Sequence, residues 1–209
     1  MAEEGTRLLI VAGASCTGKT SLIQALKRGE YRELLSELGL EDRSVWTYLS
    51  NSKFQSQVRI DSSVLSDKKV LLLHYDLFAH FRDDSRYPRI RKLLKRFEHI
   101  DVLTLYAKPS SLFKCSRTRF WSQVLQAFRS PLSKGLKINR FVRQLSERRG
   151  AYTDDSHLLK LYEKWFNELE DQRVTNHWLL ESSSFDYGPL LEYQPDSTVA
   201  MIRQYFSED

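Results

Sequence analysis

Residues 13–20 read Gly-Ala-Ser-Cys-Thr-Gly-Lys-Thr, and no other stretch restricts the folding of this 209-residue chain as strongly. They match G-x-x-x-x-G-K-[ST], a pattern that forms an anion-binding loop when a strand enters it and a helix leaves it. Both flanks fit. Residues 8–12 (LLIVA) are a short, unbroken apolar run rich in β-branched and aliphatic side chains, the mark of a strand buried on both faces. From Lys19 to Arg28 the apolar residues Leu22, Ile23 and Leu26 share one side, and Gly29 closes the turn, which predicts an amphipathic helix. A strand covered on both faces needs helices above and below it. The octapeptide therefore implies a layered α/β architecture.

The rest of the chain agrees with that expectation. Residues 44–50, 69–76 (KVLLLHYD), 101–107 (DVLTLYA) and 176–182 (NHWLLES) read as further strands, separated by helical patterns. Leu158, Leu161, Tyr162, Trp165, Phe166 and Leu169 recur at i, i+3, i+4, i+7, i+8 and i+11, with Asp154 and Asp155 placed to cap the start. Val199, Ile202 and Phe206 repeat the period after Pro195-Asp196-Ser197. Strands that alternate with helices pair in parallel, so the expected fold is a three-layer sandwich around a mainly parallel five-stranded sheet. With no internal repeat, low-complexity tract or Pro/Gly-rich linker, residues 1–209 read as one domain with a helical insertion over about residues 109–150.

Charge narrows the class of ligand. The 32 basic and 27 acidic residues leave a net charge of +5, and the arginines crowd between residues 82 and 149. A local basic zone fits a small anion better than a long nucleic-acid track, and no base-reading motif or aromatic RNA signature is present. The run over residues 8–12 is far short of the ~20 apolar residues that span a bilayer. Met1-Ala2-Glu3-Glu4 lacks the basic start of a signal peptide, and the two cysteines, Cys16 and Cys115, have no CxxC neighbour. A cytoplasmic protein with no membrane span is expected.

Within the loop, glycine at 13 and 18 permits backbone approaches that a side chain would block. The expected nucleotide-binding residues are Gly13, Ala14, Ser15, Cys16, Thr17, Gly18, Lys19, Thr20 and Ser21. Lys19 can reach the β- and γ-phosphates, and the Thr20 hydroxyl can sit on magnesium. The stretch VAGASCTGKTSLIQAL resembles the opening of the P-loop kinases, the superfamily of nucleotide and small-molecule kinases, over about the first 28 residues. That resemblance implies a P-loop NTPase-type fold that uses ATP and Mg2+, and a second, unidentified small-molecule substrate as phosphoryl acceptor.

Asp76 ends the apolar strand KVLLLHYD in the position of a Walker B carboxylate, where it can orient magnesium or accept a proton from an acceptor hydroxyl. Leu77 follows it, where many mechanical ATPases place a water-activating glutamate, so transfer to an acceptor is favoured over hydrolysis. Neither NKxD nor LSGGQ occurs, which argues against switch GTPases and ABC-type ATPases. In the resembling family the helix after the next strand leads to an arginine-bearing lid. Arg117 and Arg119 are similarly placed, and Lys137, Arg140, Arg143, Arg148 and Arg149 can complete it. The resemblance thus assigns Lys19, Asp76, Arg117, Arg119, Arg140 and Arg143 to catalysis, and Thr20 and Asp76 to the metal.

The acceptor side falls between residues 43 and 87, with Arg43, Arg59, Asp61, Arg82, Asp83 and Asp84 as candidates. His74 and His80 flank Asp76 and read as structural. Cys16 reads as a small side chain at a variable loop position, and Trp46, Trp121, Trp165 and Trp178 as core or hinge residues. Two other functions fit the loop: a sulfotransferase-like enzyme, and a non-catalytic module in which nucleotide closes the lid and exposes a partner surface.

Overall fold

A computed structural model describes residues 6–56, 69–78, 87–129, 142, 152, 155–170, 172–183 and 186–208. The loop's flanks are the strand β1 (Arg7–Gly13) and the helix α1 (Lys19–Arg28). After them come α2 (Arg32–Glu37), β2 (Trp46–Leu49), α3 (Asn51–Ser56), β3 (Val70–Asp76), α4 (Tyr87–Leu94), β4 (His99–Tyr106) and α5 (Pro109–Arg129). The chain ends with α6 (Asp155–Glu170), β5 (Asn176–Ser183), β6 (Asp186–Glu192) and α7 (Pro195–Ser207).

The strands form one sheet in the order β2-β3-β1-β4-β5-β6. β1 lies at its centre, parallel to both β3 and β4, with Gly13 level with Asp76 on one side and Leu105 on the other. Side chains alternate across β1 as a two-residue period requires. Leu8, Ile10 and Ala12 join the core shared with α4, α6 and α7, while Leu9 and Val11 join the opposite core with α1 and α2. Trp165, Tyr162, Phe166 and Phe206 fill the first layer and are almost fully buried.

The sheet has six strands rather than five, and the sixth is antiparallel to β5. The sixth strand, residues 186–192, is not among the expected strands; Gly188 and Pro189 interrupt its apolar pattern. At the sheet edge a proline is tolerated, because its missing N–H faces away from the ladder. The predicted insertion begins as one 21-residue helix, α5. Lys137, Arg140, Arg143, Arg148 and Arg149 lie outside the described residues, as do Arg59, Asp61, His80, Arg82, Asp83 and Asp84 and the side chain of Arg43. Among the described residues no helix is long and apolar enough to cross a membrane.

Candidate functional site

The loop projects from the C-terminal edge of the parallel strands, the edge at which open α/β sheets bind ligands. Gly13 has φ +151°, and a Cβ there would lie 2.6 Å from the Leu105 carbonyl oxygen and 2.7 Å from Thr17 Oγ1. No side chain fits. Gly18 has φ +79° and forms the N-terminal boundary of α1. Between them Cys16 also adopts a left-handed φ, 74°, which is uncommon for a residue bearing a side chain.

Lys19 is 4% exposed, and its ammonium group folds back into the loop. Its Nζ donates to the carbonyl oxygens of Gly13 (2.9 Å) and Ala14 (2.5 Å) and to Thr17 Oγ1 (3.4 Å). Thr17 Oγ1 in turn donates to the Ala14 carbonyl at 2.9 Å. These bonds hold a buried cation whose desolvation would otherwise be prohibitive. Asp76, from the adjacent strand, accepts from Ser15 Oγ at 2.7 Å and from the Phe78 N–H at 3.1 Å. Lysine, loop and carboxylate are thus brought together at one end of the sheet.

Two adjoining cavities open on the loop. The first, about 490 Å3, exposes Lys19, Thr20, Ser21, His74, Asp76 and Arg119, with Ser50, Asn51 and Ser52 forming another part of its wall. The second, about 670 Å3, runs from Cys16 and Gly18 across Ala107 and Leu112 to Gln123, Gln126 and Ser182. Cys16, Gly18, Cys115, Arg119 and Gln123 line both. Of the two arginines on α5 that the sequence reading assigns to a lid, Arg119 lines both cavities. Arg117 is exposed and lines neither cavity. Two residues along a helix is a rotation of about 200°, which sends the two guanidinium groups to opposite sides.

His74, which reads as structural in the sequence, lines the first cavity. It lies two residues before Asp76 on β3, and that spacing puts both on one face of the strand. Its Nδ1 is 3.4 Å from the Tyr48 hydroxyl. Burial, reinforced by the Lys19 charge and opposed by Asp76, pushes its pKa down to about 4, so the ring is neutral at neutral pH. The serines and asparagine that begin α3 carry no sequence signal beyond small polar character. Cys115, Gln123 and Gln126 become visible only once α5 is laid across the loop. The tryptophans divide: Trp165 is core, Trp46 and Trp178 are partly buried, and Trp121 on α5 is 57% exposed.

Hard oxygen donors are what magnesium prefers, and it is commonly held by one or two protein groups together with substrate phosphates. Thr20 and Asp76 line the same cavity and match that donor chemistry. Among the described residues no cluster of three or more His, Cys, Asp or Glu side chains would hold a metal without such help.

No protein-family model matches this chain, and no curated protein matches it. Among solved structures it is similar to a chain of the PezAT chromosomal toxin-antitoxin system of the human pathogen Streptococcus pneumoniae. The superposition covers 100% of this chain and 81% of that one, with a TM-score of 0.52 and 12% sequence identity. At that identity the likeness is one of fold: an α/β layout with a mostly parallel sheet, compatible with P-loop architecture.

Proposed function

We propose that this protein is an ATP-dependent phosphotransferase that passes the γ-phosphoryl group to a small hydroxyl-bearing or anionic acceptor. The observation that carries the reading is the buried Lys19 ammonium, held inside a complete phosphate loop and facing a cavity that also contains Thr20 and Asp76. In this reading the loop N–H groups and the positive end of α1 cradle the β- and γ-phosphates. Lys19 and Arg119 balance the charge that develops on the transferring group. The larger cavity takes the nucleoside, whose base meets the amides of Gln123 and Gln126. Thr20 and Asp76 would hold Mg2+, which would neutralise phosphate charge. The acceptor occupies the wall built from Ser50, Asn51, Ser52 and neutral His74, where uncharged polar groups suit a hydroxyl compound. In the same reading Asp76 receives the hydroxyl proton or helps to fix the metal. Closure over the phosphates with the help of Arg140 and Arg143 belongs to the same proposal.

The test is acceptor-dependent transfer of labelled γ-phosphate, screened after nucleotides have been ranked by thermal shift. Lys19→Ala is expected to stay folded and lose a factor of at least ~10² in turnover, the scale of one lost transition-state charge contact. Undiminished nucleotide-dependent turnover in a folded Lys19→Ala protein would sink the assignment. Tight nucleotide binding with no transfer to any acceptor would favour the nucleotide-responsive module, and transfer from a sulfuryl donor the sulfotransferase-like reading.

A further inference from the structure

We propose that Tyr152 and Tyr187 are positioning residues whose hydroxyl groups set the direction of the N–H groups of Cys16 and Lys19 in the phosphate loop. The Tyr152 hydroxyl donates to the Ser15 carbonyl oxygen at 2.5 Å, and the Tyr187 hydroxyl donates to the Gly18 carbonyl oxygen at 3.2 Å. In a planar trans peptide the C=O and the following N–H point in opposite directions. Drawing the Ser15 carbonyl toward Tyr152 therefore turns the Cys16 N–H the other way. Holding the Gly18 carbonyl, which also accepts the Leu22 N–H at 2.9 Å, does the same for the Lys19 N–H at the open end of α1.

The loop needs such restraint. Cys16 (φ 74°) and Gly18 (φ 79°) both sit in the left-handed region, which Cys16 would leave if nothing held it. The third loop peptide of this kind confirms the geometry. Between residues 13 and 14 the carbonyl takes Lys19 Nζ on one side (2.9 Å), while the Ala14 N–H meets the Tyr162 hydroxyl on the other (3.4 Å). Tyr162 is core and donates to the Leu105 carbonyl at 2.8 Å. Tyr152 and Tyr187 reach in from separate parts of the chain. The Tyr187 ring is supported edge-on by Tyr31, with centroids 5.3 Å apart. Burial holds the Tyr187 pKa up at about 12, so its hydroxyl stays a donor at neutral pH. The antiparallel strand β6 thus has a function in this site: it delivers Tyr187 to the loop.

The consequence for affinity rests on the phosphotransferase reading; the backbone geometry does not. The experiment uses the full chain with Tyr152→Phe, Tyr187→Phe and the double variant, each of which removes one oxygen and keeps the ring. Tyr193→Phe is the control, since its hydroxyl meets Glu170 (2.7 Å) away from the loop. Without ligand, the amide resonances of Cys16 in Tyr152→Phe and of Lys19 in Tyr187→Phe should shift and exchange faster, while Tyr193→Phe leaves them in place. With Mg-ATP, each single variant should weaken affinity about three- to tenfold, the loss of one neutral hydrogen bond, and the double variant by roughly the product. Turnover of the bound nucleotide should change less than KM. Unshifted Cys16 and Lys19 amides in folded variants would overturn the proposal. If those amides shift but the unmodified protein binds no nucleotide, the positioning role stands and the phosphotransferase reading fails.

Discussion

The two edges of the sheet are built on opposite plans. At the N-terminal edge Arg7 and Asp101 form an ion pair between β1 and β4, and each partner makes a further bond: Arg7 Nη1 donates to the Leu38 carbonyl at 2.6 Å, and Asn176 Nδ2 donates to Asp101 Oδ1 at 2.7 Å. Asp101 is 2% exposed and the edge is closed. At the C-terminal edge the loop carries two left-handed residues and a buried lysine, and two cavities meet over it. One edge spends its polar groups on each other. The other keeps Arg119, Thr20 and Asp76 where a ligand can reach them. The difference is one of partners: the buried charge at one edge is met by protein groups, while at the other polar side chains line open cavities. It also predicts that mutations at the two edges fail in different assays.

The largest effect should come from the closed edge. Asp101→Ala strands the Arg7 guanidinium and the Asn176 amide, and removing one partner of a buried pair costs about 3–5 kcal/mol. Urea unfolding should show that loss. Nucleotide affinity of the folded fraction should stay within about twofold, as expected for sites with no shared partners. A loss of affinity equal to the loss of stability would show that the edges are not independent.

Next in size is Asp76→Asn at the open edge. The amide oxygen can still accept the Phe78 N–H while the amide NH2 donates to Ser15 Oγ, so stability should change by about 1 kcal/mol or less. The carboxylate charge is gone, and turnover should fall about 10²-fold with an altered magnesium dependence. Normal turnover with a normal magnesium response would return Asp76 to a structural role.

This contrast explains what was legible in the sequence. The loop, β1 and α1 are local: each turn is dictated by neighbouring residues, and the octapeptide carries its own geometry. Asp76 is also readable, because an apolar strand ending in a carboxylate needs no partner to be recognised. What escaped depends on contacts distant in sequence. β6 is disguised by Gly188 and Pro189, and its value lies in a hydroxyl 169 residues from the carbonyl it holds. Arg117 and Arg119 look equivalent in sequence, and only the placement of α5 over the loop separates them. His74 has its reason in the β3 alternation, but lone histidines on apolar strands are more often buried for packing. The Arg7–Asp101 pair has no motif at all.

Between the two edges lies a third polar group, in the middle of the sheet, that sharpens the comparison through pH. His177 accepts or donates at Thr104 Oγ1 (2.9 Å), which also receives the Trp165 indole N–H (3.0 Å), and its ring stacks on Tyr193 at 4.4 Å. Burial lowers its pKa to about 3. A histidine in the unfolded chain titrates near ~6.5, so below that pH the unfolded state binds a proton that the folded state refuses. Stability is therefore full above about pH 6.5 and falls toward pH 3, by about 1.4 kcal/mol per pH unit for this one group. Denaturant titrations at pH 6.5 and 5.0 should differ by about 1.6 kcal/mol from His177 alone. Stability in His177→Gln should fall less steeply over the same interval; an unchanged slope would place the acid sensitivity elsewhere.

The smallest predicted effect separates the two arginines that sequence alone could not. On α5, Arg119 lines both cavities, while Arg117 faces solvent on the other side of the helix. A guanidinium that meets phosphate makes charge-assisted hydrogen bonds, but Arg119 is exposed, so solvent discounts its contribution. Arg119→Ala should weaken nucleotide affinity about tenfold, with a steeper loss at low ionic strength, where the attraction is least screened. Arg117→Ala should stay within about twofold at every salt concentration, because a solvated charge on the far face contributes little. Affinity measured for both variants across a salt series decides the matter. Equal losses would mean that α5 rotates or tilts on binding so that both guanidinium groups reach the anion, and the open edge would then extend along the helix rather than end at Arg119.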